Sequence, residues 1–270
     1  MTTSAVTIGI DLASQPKGTA ACVIEWGEGG GVVTELHDEL TDAAIVALVR
    51  SKPVSKIAID APFGWPIAFV EAMSIYATSG RWPGAREKEL EFRATDRHVR
   101  ALIGRWPLSV STNYLSYIAF RCARLLTELA SNGAAIDRTG AGSVLEVYPA
   151  AALRQWGIDS RGYKRRAGAT EAARLARGEV LSALVRQLRG VAAPWLHLSD
   201  AVGARFEESD DLFDALIAAL VARALEIGQC LAIPSEHAAE ARAEGWIHLP
   251  LAEPFASFDP LRDRTGLPGS

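Results

Sequence analysis

The order of the apolar segments in the first sixty residues constrains the fold of this 270-residue chain more than any other feature. Two strand-like runs are joined by a turn containing Pro and Gly, and a third strand, an amphipathic helix and a short buried strand follow. In chain order these segments are residues 6–13, 19–27, 31–39, 41–51 and 56–62. We therefore expect three antiparallel strands, a right-handed crossover and a fourth strand parallel to the first.

The rest of the chain is predicted to be mainly helical. Residues 143–153 predict a fifth strand that leads into a helix, and residues 170–189 have the composition of a long amphipathic helix. The segment 209–228 begins with an N-cap serine, ends at a glycine and is apolar almost all round, so we expect it to pack against the sheet. The domain is expected to span 1–250, with a helical insertion at about 66–140 and an irregular tail at 251–270.

Composition limits the possible partners. With 49% hydrophobic and 22% charged residues, the chain is expected to be a soluble globular protein. No early basic cluster and no long apolar run indicates a leader or a membrane span, so a cytoplasmic protein with no membrane partner is expected. A net charge of −4 gives no broad positive field, so any nucleic-acid contact must be local. The candidate basic stretches are Arg161, Lys164, Arg165 and Arg166, and the segment 86–100.

Two aspartates stand where an uncompensated charge is costly. Asp11 and Asp60 each follow an apolar strand directly, and the two strands are expected to be parallel neighbours. Either residue alone could cap the following turn. Two carboxylates side by side, however, need a cation to remain ionised together, which favours a metal site.

Further acids extend this set. Glu146 lies inside an apolar strand, where it could also face solvent at an edge. Asp211 and Asp214 are three residues apart and share one face of the last predicted helix. Asp210 and Asp211 are explained equally well as capping residues, whereas Asp214 lies deeper among apolar neighbours and must face something polar. Carboxylates from strands and a helix suit Mg²⁺ or Mn²⁺.

Several motifs along the chain carry a family resemblance. They are GIDLA, IAIDAPFGWP, RATDR, EVYPAAAL, YK, DLFDALIAAL and EGWI. Between about residues 8 and 250 the chain resembles a bacterial and archaeal family of unknown function described as predicted RNase H-like nucleases. The helix with DLFDAL also resembles the DxxDA helix of Holliday-junction resolvases in the same superfamily.

The resemblance implies an α/β fold of the RNase H-like type, a mixed sheet of three antiparallel and several parallel strands with helices on both faces. It implies catalytic roles for an acidic set consisting of Asp11, Asp60, Glu146 and Asp214. Metal-ligand roles are implied for Asp11, Asp60, Asp211 and Asp214. Polar residues that flank this set are Arg93, Asp96, Arg97, Tyr163 and Lys164, of which all but Asp96 are expected to bind substrate.

The expected function is metal-dependent phosphodiester hydrolysis of nucleic acid or a nucleotide-containing substrate. Two alternatives remain open. One is a phosphotransferase of the sugar kinase and actin class, because DLASQPKGT could cradle phosphates after the first strand. The other is a binding protein that keeps the fold without turnover, since fold alone does not establish activity.

Overall fold

A mixed sheet of seven strands runs through the residues that the computed structural model describes, 5–84, 86–165 and 168–260. The strands are β1 (Ala5–Asp11), β2 (Ala20–Gly27), β3 (Gly30–His37), β4 (Lys56–Asp60), β5 (Val144–Val147), β6 (Leu196–His197) and β7 (Ile247–His248). Their order across the sheet is β6-β3-β2-β1-β4-β5-β7.

Strand pairing follows the order of the apolar segments. β1, β2 and β3 pair antiparallel, and β4 lies parallel to β1, which confirms the predicted opening of the fold. β5 is parallel to β4, β7 is parallel to β5, and β6 is parallel to β3. β6 and β7 were not predicted, because a strand of two residues carries no periodic signal.

Helices account for most of the remaining described residues. They are α1 (Asp42–Arg50), α2 (Ile67–Ser79), α3 (Glu87–Glu91), α4 (Ala94–Ile103), α5 (Leu115–Ser131), α6 (Pro149–Gln155), α7 (Glu171–Ala192), α8 (Asp200–Glu208), α9 (Asp210–Glu226) and α10 (Ala238–Glu244), with 3₁₀ turns at Pro16–Gly18, Ser235–His237 and Phe255–Ser257. α2 to α5 fall within the segment predicted as a helical insertion. Among the described residues no helix has both the length and the apolar character needed to cross a membrane.

The caps explain where the predicted helices begin and end. The Thr41 hydroxyl accepts a hydrogen bond from the Ala44 amide at the start of α1, and the Ser209 hydroxyl accepts one from the Leu212 amide at the start of α9. Beyond α9, Gly228 has a φ of +76°, a left-handed conformation that favours glycine at a helix end.

Helices cover both faces of the sheet. α9 packs on one face against β1, β2, β4 and β5, as its nearly continuous apolar surface predicted. α1 and α5 cover the opposite face, where Ile45, Cys122 and Leu125 pack with Ile8 and Ile10 of β1. Because strand residues alternate between faces, each side chain in β1, β4 and β5 is assigned to one of these two layers.

Two aromatic residues that follow α10 pack against the core. Phe255 and Phe258 are three apart on a turn and both pack against Trp156 and Trp195. The segment expected to be an irregular tail is thus packed as far as residue 260, because its two aromatic residues fall on one side of the turn. The remainder of that predicted tail, 261–270, lies outside the described residues.

Gly9 in the middle of β1 allows α9 to approach the sheet. A Cβ atom at this position would collide with the carbonyl oxygen of Ala215 and the backbone nitrogen of Ala219. We expect Gly9→Ala to lower the free energy of unfolding by about 3 kcal/mol, the upper end of the usual cost of overpacking. Urea unfolding measures the loss.

The matched control is Gly27→Ala at the end of β2, where an added Cβ would meet nothing within 4 Å. Its free energy of unfolding should stay within about 0.5 kcal/mol of the wild type. Equal stability of the two variants would show that α9 is not held against β1 at Gly9.

Candidate functional site

The sheet register brings Asp11 and Asp60 together. They are opposite each other in the parallel pairing of β1 with β4, and each is the last residue of its strand. Gly9 faces α9, and Ala58 belongs to the core layer under α9. Asp11 and Asp60 follow these residues by two positions, so both carboxylates lie on the α9 face at the carboxyl edge of the sheet.

A third carboxylate reaches the same place from α9. Asp214 is fully buried and lies directly before Ala215, whose carbonyl contacts the Gly9 position. The Tyr163 hydroxyl donates a 2.7 Å hydrogen bond to Asp214 Oδ1. Lys164 forms an ion pair with the Asp214 carboxylate, and its Nζ lies 3.6 Å from Asp11 Oδ2. One acid from a strand and one from a helix therefore share one ammonium group, and Asp60 lies beside Asp11 on the neighbouring strand.

The two strand-end aspartates, Asp11 and Asp60, have raised pKa values. Burial, with a further contribution from the charge of Asp11, raises the pKa of Asp60 to about 8. Burial also raises the pKa of Asp11 to about 6, although Lys164 acts in the opposite direction. With Lys164 as the neighbouring cation, Asp60 is mainly protonated at neutral pH, and an additional cation would favour its ionised form.

These shifts predict how stability depends on pH in metal-free protein. Both folded-state pKa values lie above the ordinary 3.8, so the folded state binds more protons than the unfolded state between about pH 4 and 8. The stabilising contribution is present at low pH and is lost as the pH rises through these values. Asp60→Asn removes one such group, so we expect its Tm in EDTA to exceed that of the wild type by roughly 5 °C at pH 8.5.

That advantage should shrink at pH 4.5, where Asp60 is protonated in the wild type. Thermal unfolding followed by circular dichroism at the two pH values measures it. Asp38→Asn, a change at an exposed aspartate away from the site, is the control and should show no such pH-dependent gain. A Tm difference between Asp60→Asn and the wild type that is the same at both pH values would contradict a raised pKa of Asp60.

The first turn of α9 fixes the loop that carries Tyr163 and Lys164. Asp210 accepts a 2.9 Å hydrogen bond from the Arg165 amide and forms ion pairs with Arg165 and Arg177. Asp211, for which the resemblance implies a metal-ligand role, forms an ion pair with Arg165. Arg166, the last residue of the predicted basic stretch, lies outside the described residues.

Glu146 lies on the other face of the sheet. Leu145 and Val147 belong to the core layer under α9, and Val144 belongs to the opposite layer, so Glu146 points away from α9. Its carboxylate accepts hydrogen bonds of 2.8 and 2.9 Å from the Arg93 guanidinium. The structure therefore does not bring Glu146 into the cluster of carboxylates around Lys164.

The predicted arginines are also engaged elsewhere. Arg93 is buried and is shared between Glu146 and Asp96, which lies 3.0 Å away. Arg97 donates a 2.6 Å hydrogen bond to the carbonyl oxygen of Phe92. Of the residues expected to bind substrate, Tyr163 and Lys164 lie with the strand-end aspartates, whereas Arg93 and Arg97 serve the packing of α4.

Arg121 supports the loop after Asp11 and was not singled out in the sequence. It donates hydrogen bonds of 2.9 Å to the Ala13 carbonyl and 2.8 Å to the Leu40 carbonyl, and it forms a 2.7 Å ion pair with Asp42. The available signal was an arginine at a buried position of an otherwise apolar helix face in α5. Such a residue must find several partners, because a buried guanidinium is costly without them.

The carboxylates of Asp11 and Asp60 are the candidate ligands for a divalent cation. Among the described residues, no three His, Cys, Asp or Glu side chains are grouped closely enough to hold a metal ion. Mg²⁺, however, usually keeps several waters and needs only one or two protein carboxylates. Asp11 and Asp60 supply two oxygen-donor groups on one edge, so the chemistry of the site fits such an ion.

Comparison with known proteins yields one family. No curated protein and no solved structure gives a significant match to the chain. Residues 9–239 match a family described as "Protein of unknown function (DUF429)", and this range includes Asp11, Asp60 and Asp214. Because the match covers most of its length, the chain belongs to the DUF429 family.

Proposed function

We propose that this protein is a metal-dependent nuclease of the RNase H-like type that hydrolyses phosphodiester bonds. The observation that carries the proposal is the register pairing of Asp11 with Asp60 on the face from which Asp214 approaches. Acids from two parallel strand ends and one helix, distant in the chain, meet at one edge of the sheet. Packing of the fold alone does not require these acids to lie together, because each carboxylate makes ionisation of its neighbours less favourable.

The sheet supports the RNase H-like part of the proposal. Three antiparallel strands are followed by a helix and a strand parallel to the first, as that fold requires. The carboxyl edge of β1 and β4 is also where an open α/β sheet usually binds ligands.

In the proposed site Asp11 and Asp60 would hold Mg²⁺ or Mn²⁺, and Asp214 would complete the acidic set. When bound, the ion would activate a water molecule and stabilise the leaving oxygen of a phosphodiester. Tyr163 orients Asp214 through its hydroxyl, and Arg165 anchors the loop to α9. Lys164, whose side chain is nearly half exposed, can exchange its carboxylate partners for a phosphate oxygen of the substrate.

The phosphotransferase alternative finds less support. It requires a second, similar domain with its own phosphate loop, whereas the described residues share one seven-stranded sheet. The segment after β1 that could have cradled phosphates is held by Arg121 through the Ala13 carbonyl and the Thr19 hydroxyl.

The test is cleavage of labelled single-stranded, duplex and branched DNA and RNA with Mg²⁺ or Mn²⁺, beside calorimetric titration of Mn²⁺ and of ATP. We expect cleavage of at least one substrate, and binding of Mn²⁺ without a requirement for ATP. A protein that binds ATP tightly but cleaves nothing would support the phosphotransferase. A protein that neither binds Mn²⁺ nor cleaves any substrate would contradict the nuclease.

A further inference from the structure

A cavity of about 380 Å³ is lined by three arginines from different elements. Arg105 follows α4, Arg154 belongs to α6, and Arg161 lies in the loop after α6. Asp159 is the acid in the lining, and Tyr148 closes one side. Cavities of this size hold small ligands or a single nucleotide-sized group.

Tyr148 connects the cavity to the strand-end aspartates. It directly follows β5, and Glu146 of that strand is paired with Ile59, the residue before Asp60. Burial raises the pKa of the Tyr148 phenol, Arg105 lowers it, and Asp60 raises it further. The phenol therefore lies within electrostatic reach of both the cavity arginine and the carboxylate.

The loop 161–164 carries residues of both the cavity and the acidic site. After Arg161 at the cavity, the chain continues through Gly162 to Tyr163 and Lys164 at the acidic site. A ligand that spans the loop would contact the arginines on one side and Lys164 on the other.

Two of the arginines are available to a ligand. Arg161 forms a 2.7 Å ion pair with Asp159, whereas Arg105 and Arg154 are exposed and make no hydrogen bond or ion pair within residues 5–84, 86–165 and 168–260. Guanidinium groups match phosphate oxygens with paired N–H donors. In a protein of net charge −4, this local excess of positive charge favours one kind of ligand, an anion.

We propose that the cavity lined by Arg105, Arg154 and Arg161 binds a phosphate group of a nucleic-acid strand, next to the bond that is cut at Asp11 and Asp60. The nucleic-acid identity of the ligand rests on the proposed function, whereas the phosphate chemistry rests on the cavity itself. Each guanidinium forms charge-assisted hydrogen bonds to non-bridging phosphate oxygens, and these bonds hold the strand across the loop to Lys164.

The experiment measures binding without cleavage, on the full chain in EDTA. A fluorescein-labelled 12-nucleotide single-stranded DNA is titrated by anisotropy at several salt concentrations, and AMP is titrated by calorimetry. The variant Arg105→Gln/Arg154→Gln is compared with Arg50→Gln/Arg186→Gln, which makes the same change in net charge. Arg50 ends α1 at the opposite edge of the sheet, and Arg186 lies on α7 beside Glu207.

We expect the cavity variant to bind the oligonucleotide at least about tenfold more weakly than the control variant. The slope of log K against log salt should become shallower by about 0.7 for each phosphate that the variant no longer neutralises. Both variants should keep the wild-type Tm, because all four substituted arginines are exposed. AMP binding that depends on the same two arginines would support the phosphate subsite and identify a free nucleotide as its ligand.

Equal binding by the two double variants, or no binding of either probe to the wild type, would overturn the subsite. This outcome is distinguishable from failure of the nuclease proposal. A protein that binds the strand through Arg105 and Arg154 but cleaves nothing retains the subsite and loses the activity. A protein that cleaves equally well with and without these arginines retains the activity and loses the subsite.

Discussion

Asp60→Asn is expected to cleave nucleic acid about a thousandfold more slowly than the wild type at saturating Mg²⁺. The carboxylate is one of the two that the proposed site offers to the ion, and Lewis-acid stabilisation of a phosphoryl oxygen contributes several kcal/mol. At 1.36 kcal/mol for each factor of ten, about 4 kcal/mol corresponds to this loss. Initial rates on the best substrate of the cleavage panel measure it.

Two measurements test whether unfolding, and not loss of the metal ligand, explains the lower activity of Asp60→Asn. Asp60→Asn should be at least as stable as the metal-free wild type at pH 8.5, so lost activity cannot be ascribed to unfolding. Mn²⁺ should raise the Tm of the wild type and leave that of Asp60→Asn nearly unchanged, because an ion that binds only the folded state stabilises it.

Asp38→Asn serves as the matched control and should retain wild-type rates, because Asp38 pairs with Arg205 on the surface. If Asp60→Asn cleaved as fast as Asp38→Asn, the site at the strand ends would not be the catalytic centre.

The positions of Asp11 and Asp60 could be predicted because β1 and β4 are long enough to show an apolar strand pattern. They are also short enough that only one register of the two strands is expected. Both strands end in Asp, so alignment of the carboxyl ends also aligns the acids. Asp214 followed from a different argument, since a carboxylate among apolar neighbours in α9 needs a polar partner. Tyr163 and Lys164 are such partners; the resemblance suggested Tyr163, and Lys164 also stood out in a basic stretch of the sequence.

The face of Glu146 could not be predicted from the same kind of pattern. All four residues of β5 are buried, so the alternation of polar and apolar positions that normally assigns a face is absent. On the side that Glu146 takes it meets Arg93, the residue before α4, which lies more than fifty residues earlier in the chain. The arginine-lined cavity was predicted only in part, since Arg161 belongs to the basic stretch of the sequence, whereas Arg105 is brought to it by the fold.

Arg93→Met is the second change with a large expected effect, and it acts on stability. Arg93 is nearly fully buried and joins Glu146 of β5 to Asp96 of α4. Removal of the guanidinium leaves two buried carboxylates without their cation, and breaking a buried ion pair in this way costs about 3–5 kcal/mol. Urea unfolding at pH 7 measures the loss.

Arg97→Met is the matched control, with the same substitution one helical turn away. Arg97 is partly exposed and gives one hydrogen bond to the Phe92 carbonyl, so its loss should cost about 1 kcal/mol. Adding Glu146→Gln to Arg93→Met should restore part of the stability, because one of the two unpaired buried carboxylates is removed. If Arg93→Met unfolded no more easily than Arg97→Met but bound the oligonucleotide less tightly, Arg93 would contact substrate and would not be a structural bridge between α4 and β5.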